Sequence, residues 1–431
     1  MGGNELNKVK KKYRAGASQL SIVEHALCPL DTRNSLLKNQ TFESKYHYYD
    51  KNGRNEATAK VFCPRGLSAS DEFYLWGLLA LTLNQPKKQM ELLATPHWCL
   101  KQLGVVDSAS GRGGRQYKSF VEAIRRLAVV KYANDSFYDP TRKEHRCVAF
   151  GFLSYSLPAN LSSERAWRFA WDPIFFQMVE AIAGSLRFDL ATYRNLDPAS
   201  RRLFLFVSKV FQRTDHIKAI RLEHLAVNLL GFSESLEKHK QKSKVTKCLK
   251  NLMAIEVFSD MEVYRTSPGR FFVRMRRGKY FDRKTNSPIT LCAKDSPTFE
   301  SLLAIGFDDK SAARLIGKFP SPLLSEWIDI TQAAIEHFGP EHFRKSPMAY
   351  LVDSVTKASK GNRTAPDWWH DMRRRESNSE ELSAEARKLF ARVRSEVFGT
   401  EGEPNVDQPA SEGLIRMADV LASRASRVSP K

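Results

Sequence analysis

Between Glu234 and Asn251 lysines and apolar residues repeat at helical spacing. On a helix of 3.6 residues per turn, Val245, Cys248, Leu249 and Leu252 form one stripe. Lys240, Ser243, Lys247 and Lys250 fall on the opposite face, with Lys244 and Thr246 at its flanks. One side is patterned to pack, the other to meet negative charge. Directly afterwards, Ile255 to Tyr264 and Phe271 to Arg276 alternate with period two about Ser267-Pro268-Gly269, which predicts a hairpin. Arg265, Arg270, Arg274 and Arg276 lie on its strands, with Arg277 and Lys279 just beyond. A lysine run alone is usually a solvated surface. A basic helix followed by a basic hairpin is instead the layout of a winged helix-turn-helix, whose third helix enters the major groove while the wing touches backbone.

The same order of parts is expected earlier in the chain. Ser68 to Leu83 reads as a buried first helix, and Thr95-Pro96 caps a short second helix running to about Leu103. After the glycine-rich loop Gly111 to Gly114 comes a third helix ending near Ala128. There Phe120, Ile124 and Leu127 share a stripe, and Arg115, Lys118, Arg125 and Arg126 lie across from them. Val130 to Phe137 and Arg146 to Leu157 then alternate as strands about Asp139 to Lys143, so they are the expected first wing. In the later copy, Asp197-Pro198 opens the helix ASRRLFLFVSKVF, and Leu222 to Leu230 makes its second helix. The fold class expected is α+β, with two tandem winged helix-turn-helix domains, 61–183 and 184–281, and a small all-α C-terminal region.

The remaining segments are read from texture. Residues 1–60 are polar and basic apart from Leu20 to Leu27, and are expected to form a mostly flexible arm. Trp167 to Ile182 is too aromatic for a linker and reads as a helix packing the two domains together or forming a protomer contact. Residues 282–297 read as a linker and 298–375 as a helical region that Trp368 and Trp369 close. The tail 376–431 is charged and partly disordered, with one amphipathic helix at Ala384 to Phe398.

Charge narrows the functional classes. A formal net charge of +20 over 431 residues predicts attraction to a polyanion. No apolar run is long enough to span a bilayer, and the N-terminus lacks a secretory apolar core, so a cytoplasmic protein is expected. The six cysteines form no C-x-x-C pair, which fits reduced thiols. His97/Cys99 and His145/Cys147 are set aside as a zinc site, because structural zinc sites show tighter pairs and Cys147 sits in a strand-like alternation expected to be core. The loop around Arg112 matches neither nucleotide-binding glycine pattern, and no metalloprotease or nucleophile-elbow spacing occurs. The expectation is therefore a binding protein, not an enzyme, with no catalytic residues, no metal and no cofactor.

The segments LSIVEHALCPLD (Leu20 to Asp31), YRNLDPASRRLFLFVSKVFQR (Tyr193 to Arg213), the lysine helix with its hairpin, EWIDIT (Glu326 to Thr331) and KSPMAYLVDSV (Lys345 to Val355) together resemble plasmid replication initiators of the replication initiator protein A type. These are related in architecture to iteron-binding Rep proteins, and the resemblance covers about three quarters of the chain. It implies binding to tandem repeats in double-stranded DNA at an origin, opening of the adjacent A·T-rich duplex, and recruitment of the host initiator and replicative helicase. Carried onto this chain, it makes Lys240, Ser243, Lys244, Lys247 and Lys250 the reading surface, and Arg265, Arg270, Arg274 and Arg276 the wing.

The lysine helix is poor in the side chains that pair bidentately with bases, so phosphate contact is expected there, and Arg115 and Gln116 are candidates for base choice. Arg112, Lys118, Arg125, Arg126, Arg142 and Lys143 complete the expected DNA surface, with Thr246 beside the lysines. Monomer and homodimer both stay open. The alternatives are a winged-helix transcriptional regulator, which could be an autorepressor, and a primase or nuclease with a dispersed acidic site.

Overall fold

The computed structural model describes residues 15–50, 53–85, 89–106, 114–158, 163, 165–282 and 293–376. Its N-terminal part comprises β1 (Ala15–Gln19), α1 (Thr32–Ser35) and the hairpin β2 (Gln40–Asp50) and β3 (Gly53–Cys63). A first module follows: α2 (Asp71–Leu83), β4 (Glu91–Ala94), α3 (Pro96–Gln102), α4 (Gly114–Leu127), β5 (Lys131–Asp139), β6 (Glu144–Gly151), β7 (Leu153–Ser156) and β8 (Trp167–Trp171). Then come α5 (Pro173–Glu180), β9 (Ser185–Asp189) and α6 (Leu190–Asn195). The second module is α7 (Pro198–Val210), β10 (His216–Arg221), α8 (Leu222–His224) with a π-helical turn over Leu225–Leu229, α9 (Lys238–Ala254), β11 (Phe258–Ser267) and β12 (Arg270–Arg277). Helices α10 (Pro297–Ile305), α11 (Asp309–Lys318), α12 (Ser321–Phe338) and α13 (Pro347–Ala358) form the C-terminal region, and residues 367–376 are helical too.

The chain is α+β, and its sheets are antiparallel. In the second module the strand order is β10-β12-β11, and in the first it is β4-β8-β7. Each module therefore places the strand between its first two helices against the second strand of its hairpin. The two modules share this strand arrangement, but the first hairpin is not the one expected from the sequence. β5 and β6 pair with each other and, through β3, join the four-stranded sheet β2-β3-β5-β6. Val130 to Phe137 lies largely in β5, but Arg146 to Leu157 is not one strand: it divides into β6 and β7, which belong to different sheets. Period two specifies a strand but not its partner.

The expectation of a mostly flexible arm over 1–60 is corrected over the residues described. β2 and β3 pair from Gln40↔Cys63 to Asp50↔Gly53. Their polar appearance comes from an exposed face where Lys45 meets Glu56 at 3.5 Å and Lys60 meets Glu43 at 3.0 Å, while Tyr46, Ala57, Ala59 and Val61 are buried on the other. β1 pairs with β9, and Gly16 is needed there because a Cβ would lie 2.1 Å from the Phe188 ring. Trp167 to Ile182 is likewise not one helix. Asp172 caps α5, its side chain accepting from the N–H groups of Ile174 and Phe175, with Pro173 at the first helical position. The aromatic residues before that cap form β8.

Buried residues from Ala17 to Met275 make one continuous core shared by both modules. At the joint between α2 and α7, the Arg202 guanidinium is buried against the Glu72 carboxylate and also donates to the Leu230 carbonyl at 2.6 Å. The C-terminal helices build a second core around Leu302, Trp327, Ile330, Leu351 and Val355, against which Trp368 and Trp369 pack. The periodic stretch from Phe299 to Lys318 is two helices, broken at Gly306, whose φ of 114° is left-handed. Among the described residues no helix is long and apolar enough to cross a membrane. The expected helix at Ala384 to Phe398 lies outside the described residues.

Candidate nucleic-acid interface

Helix α9 is held by Gln241, Val245, Cys248, Leu249 and Leu252, all buried along one stripe. It begins at Lys238 and not at Glu234, because Ser233 to Leu236 form a turn closed by the Leu236 N–H and the Ser233 carbonyl. Opposite the buried stripe, Ser243, Lys244, Lys247 and Lys250 are exposed, and Thr246 is half-buried. Lys240 is also exposed, with its Nζ 3.2 Å from Glu237. An open groove of about 540 Å³ runs along this face, lined by His239, Lys242, Ser243, Thr246, Lys247, Lys250 and Asn251.

The hairpin β11–β12 adds its arginines beside the helix. Contact is direct: Lys242 Nζ sits 4.4 Å from the centre of the Phe271 ring, and Lys238 Nζ lies 3.7 Å from where a Cβ on Gly269 would stand. Arg265, Arg270, Arg274 and Arg276 are exposed. Arg265 donates to the Ser267 carbonyl at 3.2 Å, whereas Arg274 lies 3.7 Å from Glu262 and over the Tyr264 ring. Among the described residues, no carboxylate forms an ion pair with Lys244, Lys247, Lys250, Arg265, Arg270 or Arg276. His239 and Lys242 were not singled out from the sequence; Lys242 shares the groove face at helical spacing with Thr246, the signal that could have found it.

The amides on α9 are engaged within the protein. Gln241 is buried, and Asn251 donates to Asp197 Oδ2 at 2.9 Å and to Ser200 Oγ at 3.2 Å. The exposed face of α9 therefore offers ammonium and hydroxyl groups and the His239 ring in place of the bidentate amide and guanidinium groups that discriminate bases.

In the first module, Arg115, Gln116 and Lys118 are exposed on the first turns of α4. Arg125 is half-buried with Nη1 2.9 Å from Glu122. Arg126 differs from its neighbours. Its guanidinium grips buried Asp71 through two bonds of 2.7 and 2.8 Å, joining α4 to the start of α2, so its charge is engaged inside the protein and not displayed with the other cations. Helical spacing put it among the cations, but it could not show that a buried carboxylate faced it. Arg142 and Lys143 are exposed at the β5–β6 turn, on the four-stranded sheet and not on the hairpin β7–β8. Arg112 lies outside the described residues.

Several histidines and cysteines also find their places. Cys99 is buried, but Cys147 is exposed, contrary to the expected core position, because it points to the outer face of β6. The His145 ring stacks on Tyr48 with centroids 4.1 Å apart. Burial pulls His25 down to about 4, and burial together with the neighbouring His47 and Arg54 does the same to His224.

No family model and no curated protein matches the chain. A solved structure, described as SeMet derivatives of domain 2 and domain 3 of RctB, aligns with 60% of this chain and 96% of its own, at a TM-score of 0.40 and 15% identity.

Proposed function

We propose that this chain is a non-enzymatic, cytoplasmic double-stranded DNA-binding protein built on two winged helix-turn-helix modules. The reading rests on one observation above others: an exposed lysine face on α9 continues into exposed arginines of β11–β12, forming a single cationic surface with a groove along it. The strand orders β10-β12-β11 and β4-β8-β7 support the winged-helix reading, since each pairs the strand between the module's first two helices with the second strand of a later hairpin. In this arrangement α9 lies in the major groove and β11–β12 follows the backbone. With the α9 amides held inside, contact there is mainly to phosphate, and base choice falls to Arg115 and Gln116 or to DNA shape.

The biological role proposed is initiation of plasmid replication, by binding repeats at an origin, straining the neighbouring duplex and drawing in the host initiator and helicase. This part rests on the sequence resemblance. Footprinting the purified protein on the noncoding DNA beside its own gene tests it. Protection of tandem direct repeats next to an A·T-rich stretch is the expected result. A single protected inverted repeat over a promoter makes it a regulator, and metal-dependent synthesis or cleavage abolished by chelation makes it an enzyme.

A further inference from the structure

The hairpin tips of the two modules are treated differently. In the second module the tip at Ser267 to Arg270 projects from the sheet, with Pro268, Gly269 and Arg270 exposed. In the first, the corresponding connection between β7 and β8 sends Arg165 into the C-terminal helical region. Its Nε donates to Asp329 Oδ1 on α12 at 2.9 Å, and its Nη1 to Glu376 Oε1 at 2.6 Å. Arg165, Asp329 and Glu376 are all buried. Arg373 completes the set, with Nη2 3.0 Å from Asp329 and Nη1 3.4 Å from Glu376. Two guanidinium groups and two carboxylates thus form a neutral quartet, three members of which come from the C-terminal region.

Other polar pairs cross the same contact. Ser163 donates to Glu336 at 2.6 Å, Trp98 Nε1 donates to the Asp295 carbonyl at 3.2 Å, and Lys101 Nζ lies 2.6 Å from Glu300. The two buried apolar cores remain separate, one ending at Met275 and the other starting at Phe299. Regions whose apolar cores do not merge can separate without opening either core. Buried ionic clusters contribute little net stability compared with apolar packing, and their best-attested use is to fix one arrangement against another.

We propose that the C-terminal helical region is a releasable lock on the first module, with Arg165 exchanging Asp329 and Glu376 for DNA phosphate when that module engages the duplex. The exchange is chemically even, because a guanidinium pairs in the same forked manner with carboxylate and with phosphate. In the locked form α4 is exposed but the β7–β8 connection is held on the C-terminal region and cannot dock on the duplex beside it, so the lysine face of α9 carries the binding; in the released form both modules bind. The inference rests on the proposed DNA-binding function.

Bridging Ser163→Cys to Glu336→Cys with a short bismaleimide, in full-length protein whose Cys147 and Cys292 are serine, holds the lock shut. Bridging is expected to weaken binding to the protected DNA by about tenfold, a usual size for coupling between two states. It also cancels the effect of Lys118→Ala, which weakens only the unbridged protein. Glu376→Gln loosens the lock and is expected to tighten binding. Equal affinity and equal sensitivity to Lys118→Ala in bridged and unbridged protein overturn the lock while leaving DNA binding intact. Failure of both the bridged and the unbridged protein to bind duplex DNA overturns the functional reading and the lock together.

Discussion

Lys247→Ala isolates the phosphate contribution of α9. The side chain is exposed at the middle of the groove face, and among the described residues it has no carboxylate partner to compensate when it is removed. Each phosphate neutralised releases counterions, so log K falls against log salt with a slope of about −0.9 per contact. If Lys244, Lys247, Lys250, Arg265, Arg270 and Arg276 each neutralise one phosphate, the second module alone gives a slope of about −5 and loses ~10³-fold in affinity between 50 and 200 mM salt. Removing Lys247 makes the slope shallower by about 0.9, so the deficit relative to the parent shrinks by roughly 3.5-fold over that fourfold range of salt. Fluorescence anisotropy with a labelled duplex at four or five salt concentrations measures both slopes. An unchanged slope refutes the phosphate assignment. A changed base preference at unchanged slope shows that Lys247 reads a base.

Arg126→Ala separates a structural cation from a DNA ligand: leaving buried Asp71 without its partner should cost about 3 kcal/mol in urea unfolding while the salt slope of binding stays the same. Glu72→Gln strands the buried Arg202 guanidinium at the joint of the modules and should cost about 3–5 kcal/mol, whereas Glu72→Leu with Arg202→Met should restore most of it. Acid should destabilise the fold through His25 and His224. Both are held neutral down to about 4, while the unfolded chain takes up their protons near pH 6.5, so stability is complete above 6.5 and falls as pH drops towards 4. His224→Gln should flatten part of that fall in Tm measured against pH.

Some elements were legible because their signals are local. The stripe Val245, Cys248, Leu249 and Leu252 fixes which side of α9 is buried and therefore which lysines are exposed. Thr95-Pro96 and Asp197-Pro198 mark helix starts by cap and first-position proline, and both caps accept backbone N–H groups as expected. The β2–β3 hairpin carries a local signal too, Asn52-Gly53 between alternating stretches, which a reading from the polar composition of the arm does not use. Its exposed charges belong to cross-strand ion pairs, which composition does not distinguish from solvation.

By itself the sequence determined the positive charge, the helices with their buried and exposed faces, and the recurrence of one order of parts. All of these depend on neighbours within a few turns of chain. The tertiary structure decided which strands pair, since period two is the same for every partner and β5–β6 therefore looked like the first module's hairpin. It also decided which cations remain free. Arg126 meets Asp71 and Arg165 meets Asp329 across long separations in the chain, and whether a guanidinium faces water or a buried carboxylate is fixed only when distant elements come together.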